Sequence, residues 1–299
     1  MTLETQGTVA LSASQRAIFR VVAYGDVFDC PMTPEEIQRA LPVQASLSDV
    51  AAALTDCTRS GLLSTAEPYY VLAGREALVA TRDRRAIASS SLMRRADRYG
   101  SLIARLPFVR MVAVTGSLAA ANAEADDDID YLIVTAKGRL WLARGLTIFV
   151  VRLAKLRGLT LCPNYMLSET ALALDERDAY TARELAQMRL VSGRDVYLRM
   201  LAENGWCTEL IPNWTPGAND AVEAGSIVAR LGEWLLGGRL GDALERLLLR
   251  RKGGELRDRA GGNREVLFSE DVCKGHFEAH RARLEVALAQ RMQRLGAEE

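Results

Sequence analysis

The segment 112–135, VAVTGSLAAANAEADDDIDYLIVT, places a Gly-Ser pair after one apolar run and four aspartates in five positions before the next. Like charges this close repel, and holding them beside a buried strand is costly unless a cation lies among them. A hard cation such as Mg²⁺ suits clustered carboxylates and is commonly bound together with phosphate. If DIDYLIV is a strand, its side chains alternate between two faces. Asp128 and Asp130 then project together, and Ile129 and Tyr131 project the other way. Asp126 and Asp128 share the same spacing, but they bracket Asp127 instead of an apolar residue, and it is Asp130 that leads into YLIV. Upstream, strand 110–115 ends in Thr115-Gly116-Ser117 at a helix start, where exposed N–H groups and a glycine suit close approach of phosphate. A phosphate cradle beside two metal ligands is the equipment of phosphoryl or nucleotidyl transfer, where positioning and charge neutralisation do most of the catalysis.

These elements must be positioned by an α/β segment over 108–167. FVRMVAVTG reads as a strand, SLAAANAEA as a short helix and DIDYLIVT as a second strand. GRLWLARGLTIFVVRLAKLRG reads as a helix and LTLCPNYML as a third strand. TARELAQMRLV and VYLRMLAEN follow as helices, 204–220 as a loop, and 221–251 and 269–295 as helices around the break KGGELRDRAGGNR.

Gly116-Ser117 followed at this distance by Asp128-Ile129-Asp130 resembles the signature of the DNA polymerase beta-like nucleotidyltransferases. The resemblance covers roughly 108–168. It implies an α+β fold with a small mixed sheet flanked by helices. It also implies binding of an NTP such as ATP with Mg²⁺ (or Mn²⁺), and transfer of a nucleoside monophosphate to an acceptor with release of pyrophosphate. Asp128 and Asp130 are then the catalytic metal ligands, with Gly116 and Ser117 on the nucleotide. The family usually adds a third carboxylate on a later strand. The matching strand here, LTLCPNYMLSE, has Asn164 at its centre, which can touch nucleotide but is no base. Glu169, Asp175 and Glu184 lie beyond it as candidates.

Residues 14–73 read as three helices and a hairpin, an arrangement resembling a winged helix-turn-helix. TPEEIQRAL opens with Thr33 as N-cap, Pro34 at the first helical position and Glu36 closing a capping box. The helix that would enter a DNA groove carries Asp49 and Asp56 against Arg59, and the wing tip offers Glu67. Phosphate neutralisation dominates affinity for DNA, so this module reads as a packing or interaction module, not a DNA reader. The segment 75–105 carries eight arginines and reads as a solvated helix face, or as a basic wall able to meet RNA.

Near the C-terminus, SEDVCKGHFEAHRARL puts Cys273, His276 and His280 at helical spacing after Ser269 as N-cap. That face is a seam, a zinc half-site, or a place from which Lys274 and the histidines touch phosphate or acceptor. The expected organisation is a winged-helix-like module at 1–74, a basic linker helix at 75–106, the catalytic core at 107–203 and a C-terminal helical region at 204–299. Thirty-eight basic residues balance thirty-eight acidic ones, so no global field demands nucleic acid. Five scattered cysteines without a CxxC pair fit reduced thiols in a cytoplasmic setting, and no signal peptide or membrane span is apparent. Two functions compete: a nucleotidyltransferase acting on a small molecule, a protein or an RNA end, and a nucleotide sensor signalling through its winged-helix module.

Overall fold

The computed structural model describes residues 11–216, 226–260, 266–275 and 280–293. They divide into two compact units. The first takes the described residues up to Asp83, Thr208–Thr215 and those from His280 onward, and the second takes those of Arg84–Cys207 and Pro216–Ala279.

In the first unit, α1 (Ala13–Val27), α2 (Pro34–Ala40) and α3 (Leu47–Arg59) precede an antiparallel hairpin of β1 (Leu63–Ala66) and β2 (Tyr69–Leu72). Each helix starts on a capping box: Ser12 with Gln15, Thr33 with Glu36, and Ser46 with Asp49. Each box satisfies backbone donors that the first turn leaves open. Their apolar faces meet in one core of Ile18, Val22, Ile37, Val50 and Leu54, joined by Leu288 and Met292 of the C-terminal helix His280–Gln293. The buried Asp26 fastens the unit, accepting from Arg75 Nε at 2.8 Å and from Arg291 Nε at 2.7 Å. Asn213 holds its own segment here, accepting from Ala45 N–H at 2.9 Å and donating to the Val43 carbonyl at 2.7 Å.

Four of the eight arginines of segment 75–105 pair with acids, among them Arg75 with Asp26 and Asp29. Arg82 is buried and reaches Glu36 at 2.7 Å, while in the second unit Arg84 and Arg85 share Glu124. The helix carrying most of them, α4, spans Leu78–Ala104.

The second unit is built on a six-stranded mixed sheet. Its strands are β3 (Val109–Val114), β4 (Ile129–Thr135), β5 (Leu161–Ser168), β6 (Arg189–Ser192), β7 (Val266–Phe268) and β8 (Val272–Gly275), in the order β6-β3-β4-β5-β8-β7. Only β4 and β5 are parallel; the other neighbours are antiparallel. The one-turn α5 (Gly116–Ala119) links β3 to β4, and α6 (Leu140–Lys155) makes the crossover that two parallel strands require. The helices α7 (Ala179–Gln187) and α8 (Arg194–Glu203) flank β6. After α9 (Cys207–Leu210) come α10 (Ile227–Leu236), α11 (Arg239–Leu248), a π-helical turn at Leu249–Gly253, α12 (Gly254–Ala260) and finally α13, the C-terminal helix already described. Ile129 and Tyr131 are fully buried, and Tyr131 Oη donates to the Ala96 carbonyl of α4 at 2.7 Å.

Three expectations are corrected. MRLV does not continue a helix: α7 stops at Gln187 and Arg189–Ser192 adds a strand beside β3. The region 269–295 is not one helix, because Val272–Gly275 pairs with both β5 and β7 before the helix at His280 begins. Ser269 therefore caps no helix. It sits in the β7–β8 turn, where its Oγ accepts from the Asp271 and Val272 N–H groups. The link after Gly116 is also shorter than expected, with only 116–119 helical.

The first turn of α6 has no cap from its own N-cap side chain. Instead Glu245 of α11, itself buried, accepts from the N–H groups of Trp141 and Leu142, both at 2.8 Å. The carboxylate thus meets two open donors at the positive end of the helix. Glu245→Ala leaves both N–H groups buried and unpaired and should cost about 2–4 kcal/mol, with Glu245→Gln in between. Urea unfolding of the three proteins checks this, and a loss of Ala stability under about 0.5 kcal/mol contradicts it.

Candidate functional site

The topology gathers one edge of the sheet. β3 ends there, β4 runs antiparallel to it and starts there, and β5 runs parallel to β4 and starts there too. β6 also runs antiparallel to β3, so its start, Arg189, sits beside Val114, and α7 arrives at the same edge immediately before it. The residues after β3, before β4, at the head of β5 and on α7 are thereby brought together.

Gly116 follows β3 with φ of +68°, the left-handed region that glycine enters at no steric cost. A β-carbon on it would lie 2.6 Å from Asp130 Oδ2. The turn therefore closes directly on the Asp130 carboxyl, and the Thr115 N–H donates to the Asp130 carbonyl at 3.0 Å. The exposed Ser117 hydroxyl faces Asp127, Oγ to Oδ2 at 3.4 Å. Asp128 is exposed and Asp130 half-buried. The alternation is as expected: Ile129 and Tyr131 fill the core and Asp130 turns away from it. Asp126 lies on the exposed turn before the strand.

Two residues of β5 complete the edge. The amide Nδ2 of Asn164 donates to Asp130 Oδ1 in a short contact. Cys162, in register with Asp130, donates from Sγ to Asp128 Oδ2 at 3.2 Å. Cys162 is visible only once β4 and β5 are paired, since nothing in its sequence neighbourhood marks it.

Of the three further carboxylates considered, Glu184 stands at this edge. The Gly116 N–H acts on its carboxyl, and its charge acts on Asp130. Glu169 lies elsewhere, against the Lys137 N–H at 3.4 Å and Arg199 at 3.6 Å. Asp175 acts on the Tyr165 hydroxyl, beside Glu176. Lys274 is also engaged away from the aspartates: its Nζ holds Glu176 at 2.6 Å and lies over the Tyr165 ring. The three-residue helical face of Cys273, His276 and His280 does not form, because Cys273 is buried in strand β8; His276 lies outside the described residues, as does the side chain of His280.

The electrostatics are those of crowded acids. Burial, then the charges of Asp128, Glu184 and Asp127, push the Asp130 carboxyl up to about 7. Burial pushes Glu184 up to about 7 as well, against the opposing effect of the Gly116 N–H. The Cys162 thiol is pushed up to about 12 by burial and by its bond to Asp128. Among the described residues, no group of three or more His, Cys, Asp and Glu side chains stands close enough together to hold a metal ion as it is arranged here. Nor is any described helix long and apolar enough to cross a membrane. Compared with protein-family models, curated proteins and solved structures, the chain matches none.

Two outcomes follow. Gly116→Ala must strain the turn and press on Asp130, costing about 1–3 kcal/mol. In the double variant with Asp130→Ala the clash disappears but the backbone strain stays, so a double-mutant cycle should give a coupling of roughly 1 kcal/mol or more; additive losses contradict the contact. Second, a carboxyl whose folded pKa is raised binds more protons folded than unfolded. Its penalty is absent below the unfolded value, grows as pH rises above it, and is complete once pH passes the folded one. The metal-free protein should therefore lose stability between about pH 4 and pH 7.5, less steeply in Asp130→Asn and Glu184→Gln. Thermal melts across that range check the slope, and identical slopes in all three proteins contradict it.

Proposed function

We propose that this chain is a divalent-metal-dependent nucleotidyltransferase, with its catalytic core in the second unit. The observation that carries the reading is the meeting, at one sheet edge, of Gly116-Ser117, the Asp128/Asp130 pair and Glu184. The strand–turn–strand context of β3, α5 and β4 supports it, as does the parallel β5 beside them. The three helices and hairpin of the first unit support a winged-helix-like module, whose role is packing or partner contact.

The donor set suits a hard cation. Asp128 and Asp130 offer carboxylate oxygens, and the repulsion they share with Glu184 and Asp127 is the cost that a bound cation would remove. Asp128 and Asp130 would hold Mg²⁺ or Mn²⁺, which supplies charge neutralisation for the triphosphate and the leaving pyrophosphate. Gly116 offers its N–H and a bare Cα to phosphate oxygens, and Ser117 offers its hydroxyl. Asn164 fixes the orientation of Asp130. In the transfer, an acceptor hydroxyl oxygen bonds to the α-phosphorus, the bond to the β-bridging oxygen breaks, and pyrophosphate leaves. Glu184, ionised above about pH 7, would take the acceptor proton. The acceptor is a small molecule, a protein or an RNA end.

The test has binding and turnover arms. Asp128→Asn and Asp130→Asn should weaken Mg-NTP binding at least about a hundredfold while keeping the fold. Ser117→Ala should lose roughly ten- to a hundredfold in affinity or rate, as expected for a hydrogen bond to a charged group. Glu184→Gln should retain binding and lose about 10²–10⁴ in transfer rate. Titration calorimetry with each NTP, and transfer of α-labelled nucleotide into lysate fractions, read these out. Unchanged affinity in both aspartate variants sinks the reading. Binding with no transfer in any fraction favours the sensor instead.

A further inference from the structure

The C-terminal end of α6 is exposed, apolar and basic at once. Between Asp130 and Glu169 the sequence has six basic residues and no acid, in a chain whose formal net charge is +0. Three of the six, Arg152, Lys155 and Arg157, are exposed in or just after the last turn of the helix. None of these three pairs with an acid among the described residues, whereas Arg139, at the other end of the helix, holds Asp242 at 2.6 Å. Cations at a helix C-terminus offset its dipole, which accounts for the charge but not for the apolar side chains between them. Phe149 is 70% exposed, Leu153 40% and Leu156 84%. At about 100° per residue these three share an arc of about 60°, and Arg152 borders it.

A second basic segment, distant in sequence, is packed along the same helix. Leu248 of α11 lies against Gly145, where a β-carbon would meet it at 3.8 Å. Gly145 stands one turn before Phe149 on the same face. The π-helical turn that follows Leu248 carries Arg250 and Arg251, both exposed and neither paired with an acid among the described residues. Lys252 of that turn is taken by Glu255 at 2.6 Å. Five cations thus surround the apolar arc, all within the second unit.

We infer that this face docks on the anionic surface of a lipid bilayer, with Phe149, Leu153 and Leu156 entering the headgroup layer and the cations meeting anionic headgroups. Such a membrane offers two attractions, burial of apolar side chains and neutralisation of cations, and the face is built for both. Arg and Lys suit it, because their stems lie along apolar surface while their charges stay in water. A nucleic-acid strand would meet the cations through its phosphates but leave the exposed leucines uncovered. An amphipathic peptide docks in an apolar groove, whereas Phe149 and Leu156 stand almost clear of their surroundings. The turn after Leu156 also leads to the catalytic edge. The Thr160 carbonyl accepts from the Ile129 N–H at 2.9 Å, and Cys162 follows at the head of β5. Docking would therefore bring the Asp128 and Asp130 edge to the bilayer, and on the nucleotidyltransferase reading the acceptor is then a molecule held at that surface.

The experiment is co-sedimentation of the full chain with vesicles of phosphatidylcholine and phosphatidylserine in equal parts, and with vesicles of phosphatidylcholine alone. The chain should bind the mixed vesicles at least about tenfold more tightly, and the difference should shrink as salt rises from about 0.15 M to about 1 M. Arg152→Gln with Arg157→Gln in one protein should weaken binding roughly tenfold or more. Leu156→Asp should do the same although every cation is kept. These side chains are exposed, so circular dichroism and melting should match the wild type in both variants. Mg-NTP affinity, measured without vesicles, should be unchanged in both, which tells a failure of docking from a failure of the nucleotide reading. No binding to the mixed vesicles, or binding that both variants keep in full, overturns the inference. So does a labelled single-stranded RNA that binds through Arg152 and Arg157 while vesicles do not bind.

Discussion

The contact between Gly116 and Asp130 is the constraint on which the candidate site depends. Only a residue without a β-carbon, in a left-handed conformation, lets the end of β3 turn on the head of β4 with a carboxyl held against its Cα. From that closure follow the position of Ser117 beside Asp127, the start of α5 and the approach of α7, whose Glu184 feels the Gly116 N–H. A larger residue at 116 would push the turn away from the Asp130 carboxyl.

Crowding four acids at one edge is unfavourable by itself, and the rest of the unit offsets it. Ile129, Tyr131 and Ile133 of β4 are fully buried, so the strand that carries Asp130 is anchored by its other face. Local relief comes from neutral donors: Asn164 on Asp130, the Cys162 thiol on Asp128 and the Gly116 N–H on Glu184. No basic group is among those that shift Asp130. Lys274, the cation that sequence position suggested, is held instead by Glu176. The remaining unfavourable charge is the feature that a bound cation would relieve.

Much of this was legible in the sequence, and the reasons are local. The capping box of Thr33 and Glu36 involves residues three apart, and Asp130 turns away from the core between Ile129 and Tyr131 because strands alternate. What was not legible depends on pairing between distant segments. Glu184 reaches the edge only because β6 pairs with β3 and carries α7 with it, and four residues of RLVS look like the tail of a helix until a neighbour is supplied. The Cys273, His276 and His280 spacing mimics a helix face, but β5 recruits Val272–Gly275 as a strand, and tertiary pairing overrides local pattern. Cys162 joins the site through its register with Asp130 alone. The capping of α6 by Glu245, from a helix about a hundred residues later, likewise has no signature in either segment.

The central claim is that these carboxylates are a metal site facing a triphosphate cradle. Crystals grown with Mn²⁺ and a non-hydrolysable NTP, measured for anomalous scattering at the manganese edge, test it most directly. The account predicts a peak bridging Asp128 and Asp130, with the triphosphate against Gly116 and Ser117 and Glu184 facing the open side. No peak at those aspartates, or nucleotide bound elsewhere on the chain, would contradict it.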